Sequence, residues 1–182
     1  MTIKLKPDLL NIPPTMLDQY QSFIKSKHFL ETEMPKLKPL LAEVKKKPET
    51  NQIVLMTGRT SVIKTYVSNW LGSTLNREVH RIDLSKVVSK YIGETEKNLS
   101  VLFEKAESKN WILFFDEADA LFGKRTQVSD SHDKYANQEV SYLLQKMKKY
   151  RGIIILSANS KAGLRQIFIT IVDWFLLFRK LI

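Results

Sequence analysis

The chain has 182 residues, with 29 Lys and Arg against 19 Asp and Glu, a formal net charge of +10, and no cysteine. That length suits one α/β domain burying roughly 70% of its unfolded surface and leaves no room for a second full domain. The lack of thiols excludes disulfides and cysteine metal sites and agrees with a cytoplasmic location. The basic excess raises a nucleic-acid reading. However, the runs Lys45-Lys46-Lys47 and Lys146, Lys148, Lys149 carry no interleaved aromatics, and they read as solvated helix ends and linkers.

Taken in chain order, residues 1–51 form a helical extension ahead of a larger unit over 52–182. The first residues lack the apolar run of a signal peptide. Pro13-Pro14-Thr15 announces a helix, and Met16, Leu17, Tyr20, Phe23 and Ile24 recur at helical spacing. That stripe is expected to pack on the larger unit or on a neighbour.

Next comes an apolar strand over 53–57 and then Gly58-Arg59-Thr60-Ser61-Val62-Ile63-Lys64-Thr65. The spacing is that of the phosphate-binding loop G-x-x-x-x-G-K-[ST], in which the lysine reaches β- and γ-phosphates and the threonine hydroxyl reaches Mg²⁺. Ile63 stands at the second glycine. A β-branched side chain there is expected to narrow the cradle of main-chain N–H groups, and glycine in its place to improve it. The following helix is expected to open on Lys64-Thr65, where its N-terminus favours an anion.

Further strands are expected over 79–83, 111–116 and 153–158. Helices fall between them, one from Thr95 with Leu99, Leu102, Phe103 and Ala106 on one stripe, another over 135–150. The alternation predicts a doubly wound parallel sheet of the α/β class, five-stranded once 174–178 is added. Ile112-Leu113-Phe114-Phe115 runs directly into Asp116-Glu117. A strand buried on both faces delivers those two carboxylates to the carboxyl edge of the sheet, where ligands bind. Asp116 suits Mg²⁺ and Glu117 suits activation of a water aimed at a γ-phosphate. The apolar stretch 167–178, interrupted by Asp173, falls short of the ~20 residues of a membrane span. Any part of it left uncovered predicts oligomerisation or poor solubility.

With these elements in place, Arg81-Ile82-Asp83-Leu84-Ser85, Lys90-Tyr91-Ile92-Gly93-Glu94-Thr95-Glu96-Lys97-Asn98-Leu99 and Asp116-Glu117-Ala118-Asp119-Ala120-Leu121-Phe122-Gly123-Lys124-Arg125 resemble the core of bacterial AAA-family ATPases, the large subdomain of the AAA+ P-loop NTPases. The resemblance spans about residues 53–178. It implies ATP and Mg²⁺ as ligands, a homo-oligomeric ring in the full-length form, and hydrolysis coupled to remodelling of a protein substrate. It further implies that Asn159 senses the γ-phosphate from the tip of the 153–158 strand. Lys90, Tyr91, Ile92 and Gly93 correspond to the pore loop that grips a threaded polypeptide. In that family the segment before the first strand lines the adenine pocket, which here is either 10–12 or 45–51.

The departures are equally specific. Against the family loop G-P-P-G-T-G-K-T, Arg59 and Thr60 replace the prolines, and Ser61 and Ile63 replace the second and third glycines. Beyond Asn159, Arg165 stands where an acid is expected and Thr170-Ile171 where an arginine pair would reach the neighbouring subunit. A trans arginine is worth about 10³ to 10⁵ in rate in related phosphoryl transfer. The lid that follows the sheet in the family is expected to be missing or truncated. Turnover is therefore expected to be weak. The alternative is a non-hydrolysing nucleotide-binding or assembly module, and a DNA-associated AAA+ protein comes third, supported by charge alone.

Overall fold

The structure, a computed structural model, describes residues 14–58, 61–83, 94–119, 131–161, 164 and 166–178. Helix α1 (Pro14–Lys25) leads through a π-helical turn (Phe29–Glu33) into α2 (Met34–Lys46). Then follow β1 (Gln52–Thr57), α3 (Ser61–Leu75), β2 (Val79–Asp83), α4 (Glu94–Lys109), β3 (Ile112–Asp116), α5 (Ser131–Lys149), β4 (Ile153–Ala158), the single turn α6 (Gln166–Ile169) and β5 (Trp174–Leu177). The five strands form one sheet in the order β2-β3-β4-β1-β5, and every pairing is parallel. The doubly wound α/β reading therefore holds.

Period-2 alternation divides the strand side chains between two cores. Ile53, Leu55, Leu113, Phe115, Ile154 and Leu156 pack with Leu99, Phe103 and Ala106 of α4 and with Val140, Leu143, Leu144 and Met147 of α5. Val54, Met56, Ile112, Phe114, Ile153 and Ile155 face the other way, against α3 and the N-terminal helices. There the stripe of α1 contributes Tyr20 and Ile24, both buried, with Phe29, Leu37, Leu40 and Val44 behind them. The N-terminal helices thus complete one face of the sheet. Lys36 ties them to its edge, its Nζ donating to Glu33 Oε2 at 2.9 Å and to the Leu177 carbonyl at 3.0 Å.

Two helices end in the same way because each is followed by an asparagine. Asn76 (φ 55°) and Asn110 (φ 54°) adopt the left-handed conformation that their side chains tolerate. The next amides, Arg77 and Trp111, reach back five residues to the carbonyls of Gly72 and Ala106 at 2.9 and 3.0 Å, closing α3 and α4 with a Schellman motif. At the other edge, Asp173 fixes where β5 begins. Its Oδ2 accepts the Ile53 N–H at 2.8 Å and its own N–H donates to the Ile53 carbonyl at 2.9 Å. Leu176 and Phe178 then turn inward, while Phe175 and Leu177 stay 47% and 53% exposed, the uncovered apolar surface expected for this stretch. No described helix is long and apolar enough to cross a membrane.

The structure corrects two expectations. Helix α3 starts at Ser61 rather than at Lys64. Ser61 and Ile63 stand where the family loop has glycines, and both are better helix residues than glycine, so the helix extends back to Ser61. The second correction concerns the linker over 45–51. It enters β1 from the amino end of the sheet, with the Asn51 amide donating to the carbonyls of Met147 and Tyr150 at 2.6 and 2.7 Å. Six strand residues at ~3.3 Å each separate it from Gly58, so it does not reach a ligand at the carboxyl edge. The alternative segment, 10–12, lies outside the described residues.

Candidate functional site

The carboxyl ends of β1, β3 and β4 place three functional elements side by side: Thr57-Gly58, Asp116-Glu117 and Ala158-Asn159. Gly58 has φ +136°, a conformation that L side chains rarely adopt. An added Cβ would lie 2.1 Å from the Phe178 carbonyl oxygen, so glycine is required here by space as well as by backbone. The Gly58 N–H donates to the Ala158 carbonyl at 3.2 Å, joining the loop to the end of β4.

Lys64, in the first turns of α3, is 3% exposed, and its Nζ donates to the same Ala158 carbonyl at 2.9 Å. A buried ammonium is expensive unless other charges surround it. Burial pushes the Lys64 pKa below the ordinary lysine value, while Asp116, Asp119 and Glu117 pull it back up. The lysine thus stands among three carboxylates with one carbonyl as its hydrogen-bond acceptor. Thr65 follows it, half-buried, and Ser61 and Val62 are exposed at the start of the helix. Ile63 points away from the site. It is 3% exposed and belongs to the core formed with Tyr66, Val67, Tyr20 and Met56.

Asp116 is buried with both carboxylate oxygens engaged. Oδ1 accepts the Glu117 N–H at 3.0 Å, and Oδ2 is paired with the Arg81 guanidinium. Glu117 has φ +52°, which turns the chain sharply out of β3 and leaves its own carboxylate exposed. For a non-glycine residue this conformation costs roughly 1 to 2 kcal/mol, and such strain concentrates at functional positions. On the adjacent strand Asn159 is also exposed, with its N–H donating to Asp119 Oδ2 at 2.7 Å.

The structure therefore brings Gly58, Lys64, Asp116, Glu117 and Asn159 to one edge. Arg59 and Thr60 lie outside the described residues, as do Lys90, Tyr91, Ile92 and Gly93 of the pore-loop match, and Arg165. Two residues were not singled out as site members by sequence: Asp119, which fixes the start of the Asn159 turn, and Arg81, which occupies Asp116. The third acid of Asp116-Glu117-Ala118-Asp119 was a visible signal for the first. Nothing in a strand residue such as Arg81 announces that it reaches diagonally to the neighbouring strand.

The comparisons agree with this geometry. Residues 54–176 match the family model described as "ATPase family associated with various cellular activities (AAA)". The chain is 34% identical over 109 residues to the ATPase family gene 2 protein of Schizosaccharomyces pombe, covering 59% of this chain and 14% of that protein. It is 33% identical over 134 residues to proteasome-activating nucleotidase 1 of Haloferax volcanii, covering 71% and 32%. To the cell division cycle protein 48 homolog of Archaeoglobus fulgidus it is 26% identical over 112 residues, covering 59% and 15%. The chain thus spans a third or less of the length of these relatives.

Proposed function

The chain belongs to the AAA family of ATPases, and on that premise we propose that it binds Mg·ATP at the carboxyl edge of β1, β3 and β4. The observation that carries this reading is Lys64, a buried ammonium at this edge whose Nζ donates to the Ala158 carbonyl and which feels the charges of Asp116, Asp119 and Glu117. Its hydrogen bond to the Ala158 carbonyl satisfies it in a way that phosphate oxygens would improve on. Lys64 serves the β- and γ-phosphates, while Thr65 and Asp116 hold Mg²⁺. A hydroxyl and a carboxylate are hard oxygen donors, the kind that Mg²⁺ takes. Bound Mg²⁺ neutralises charge on the phosphates. Glu117, exposed and held by its left-handed turn, orients and deprotonates the attacking water, and Asn159 senses the γ-phosphate.

Hydrolysis is slow in this reading, because Thr170-Ile171 stands where an arginine pair would reach the neighbouring subunit's nucleotide. In the full-length protein we assign turnover to remodelling of a protein substrate by a cytoplasmic homo-oligomeric ring, with 90–93 as the substrate-gripping loop and 1–51 as an extension of the 52–182 nucleotide unit. Kinship is the support for these assignments. A second reading, a non-hydrolysing nucleotide-dependent assembly module, is favoured by the short loop and by the helical, core-packed Ile63.

Glu117→Gln distinguishes the two. If Glu117 is the base, ATP turnover falls about 10² to 10⁴-fold with Mg·ATP affinity retained. Equal rates in the two proteins remove Glu117 from that role. Tight binding without turnover in the wild type establishes the assembly module.

A further inference from the structure

Arg81 is the cation in direct contact with Asp116. Its guanidinium reaches from β2 across to Asp116 Oδ2 on β3. The two side chains differ sharply in environment, since Asp116 is 8% exposed and Arg81 58%. The other oxygen, Oδ1, accepts the Glu117 N–H, so the carboxylate has no oxygen without a partner. Lys64 lies close enough to feel the Asp116 charge, but its hydrogen bond goes to Ala158. The Asp116 carboxylate is therefore neutralised at short range by Arg81.

We propose that Arg81 is a placeholder cation: it neutralises Asp116 while the metal position is empty and must leave Oδ2 for a divalent ion to bind. The proposal rests on the metal-binding role of Asp116 given above. An exposed guanidinium on a long stem can swing into solvent at little cost, whereas Asp116 is fixed in the sheet and, through Oδ1, to the Glu117 backbone. Displacement of Arg81 is the step that moves. Two positive charges at one carboxylate repel, so Arg81 and the divalent ion are antagonists. Arg81 thus acts on the metal through Asp116 and is a positioning residue.

Mn²⁺ reports this without turnover. Free and bound Mn²⁺ are separated by electron paramagnetic resonance in the full chain, with a non-hydrolysable ATP analogue present, for wild type, Arg81→Gln, Arg81→Lys and Asp116→Asn. An ion pair with one exposed partner sets the scale: Arg81→Gln should tighten Mn²⁺ about threefold to fivefold, with the analogue's own affinity measured without metal unchanged. Arg81→Lys, which keeps the charge, should stay within about twofold of wild type. Raising salt should shrink the difference, because the Arg81 end of the pair is exposed. Unchanged Mn²⁺ affinity in Arg81→Gln overturns the proposal. Weaker binding of the analogue in Arg81→Gln also overturns it, and makes Arg81 a phosphate contact instead. Asp116→Asn separates the premise: if it binds Mn²⁺ as wild type does, Asp116 is not the metal ligand, whereas loss of Mn²⁺ in Asp116→Asn with no change in Arg81→Gln sinks the placeholder alone.

Discussion

Replacing Ile63 by glycine, the change that makes the loop match the phosphate-binding pattern, should destabilise the protein by about 3 to 6 kcal/mol rather than repair nucleotide binding. Ile63 is 3% exposed and sits in a core with Tyr20, Met56, Tyr66 and Val67. Emptying such a site costs about 2 to 5 kcal/mol for an Ile to Ala change, and glycine inside a helix adds about 1 kcal/mol over alanine. Whole domains are stable by only about 5 to 15 kcal/mol. Chemical denaturation of Ile63→Gly beside Ile63→Val measures the loss, and the valine variant should cost about 0.5 to 1.5 kcal/mol. A glycine variant as stable as wild type, with tighter Mg·ATP binding, would mean that position 63 belongs to an open loop after all.

The second large effect is expected at Gly58. Alanine there meets the Phe178 carbonyl oxygen at 2.1 Å, a backbone atom that no side-chain rotation can move away. Phe178 is itself pinned, since its N–H donates to the Thr57 carbonyl at 2.8 Å. The methyl group must therefore push β5 from β1 or force Gly58 from φ +136°. Strain at such a φ and overpacking each cost about 1 to 3 kcal/mol, so Gly58→Ala should lose about 2 to 6 kcal/mol. The loss should be local to one edge. Hydrogen exchange of the β5 amides and of Phe178 should accelerate well before that of β3, which lies two strands away from β1. Uniform exchange across the sheet would show that the clash is relieved elsewhere.

The fold was legible because it depends on pattern. Fully apolar runs at 53–56, 112–115 and 153–156 can be buried on both faces only in a covered parallel sheet, and the helical stripes at Leu99, Phe103 and Ala106 or Leu143, Leu144 and Met147 supply the covers. The carboxylates were legible for the same reason, because a buried strand dictates where its last residue emerges. What the sequence concealed was the start of α3. Motif spacing counts residues but does not say which are helical, and a substitution that looks like damage to a loop is, in the folded chain, a core residue of a longer helix. Arg81 was concealed by distance, since its partner lies on another strand, and the anchoring of the 45–51 linker was concealed likewise, since Asn51 bonds to the carbonyls of Met147 and Tyr150 about a hundred residues on. Asn76 and Asn110 were not read as helix ends either; the structure shows each closing a helix in the left-handed conformation.

The central claim is that Lys64 and the carboxylates around it form a nucleotide site, and calorimetric titration of Mg·ATP into wild type and Lys64→Ala tests it most directly. The expected result is saturable one-to-one binding by the wild type and at least a ~10-fold weaker response from Lys64→Ala, the loss of a charge-assisted phosphate contact. Both proteins should give the same circular dichroism, because the lysine's burial lowers its own pKa and its removal relieves a desolvated charge. Equal affinity in the two proteins, or no binding by a folded wild type, would contradict the account.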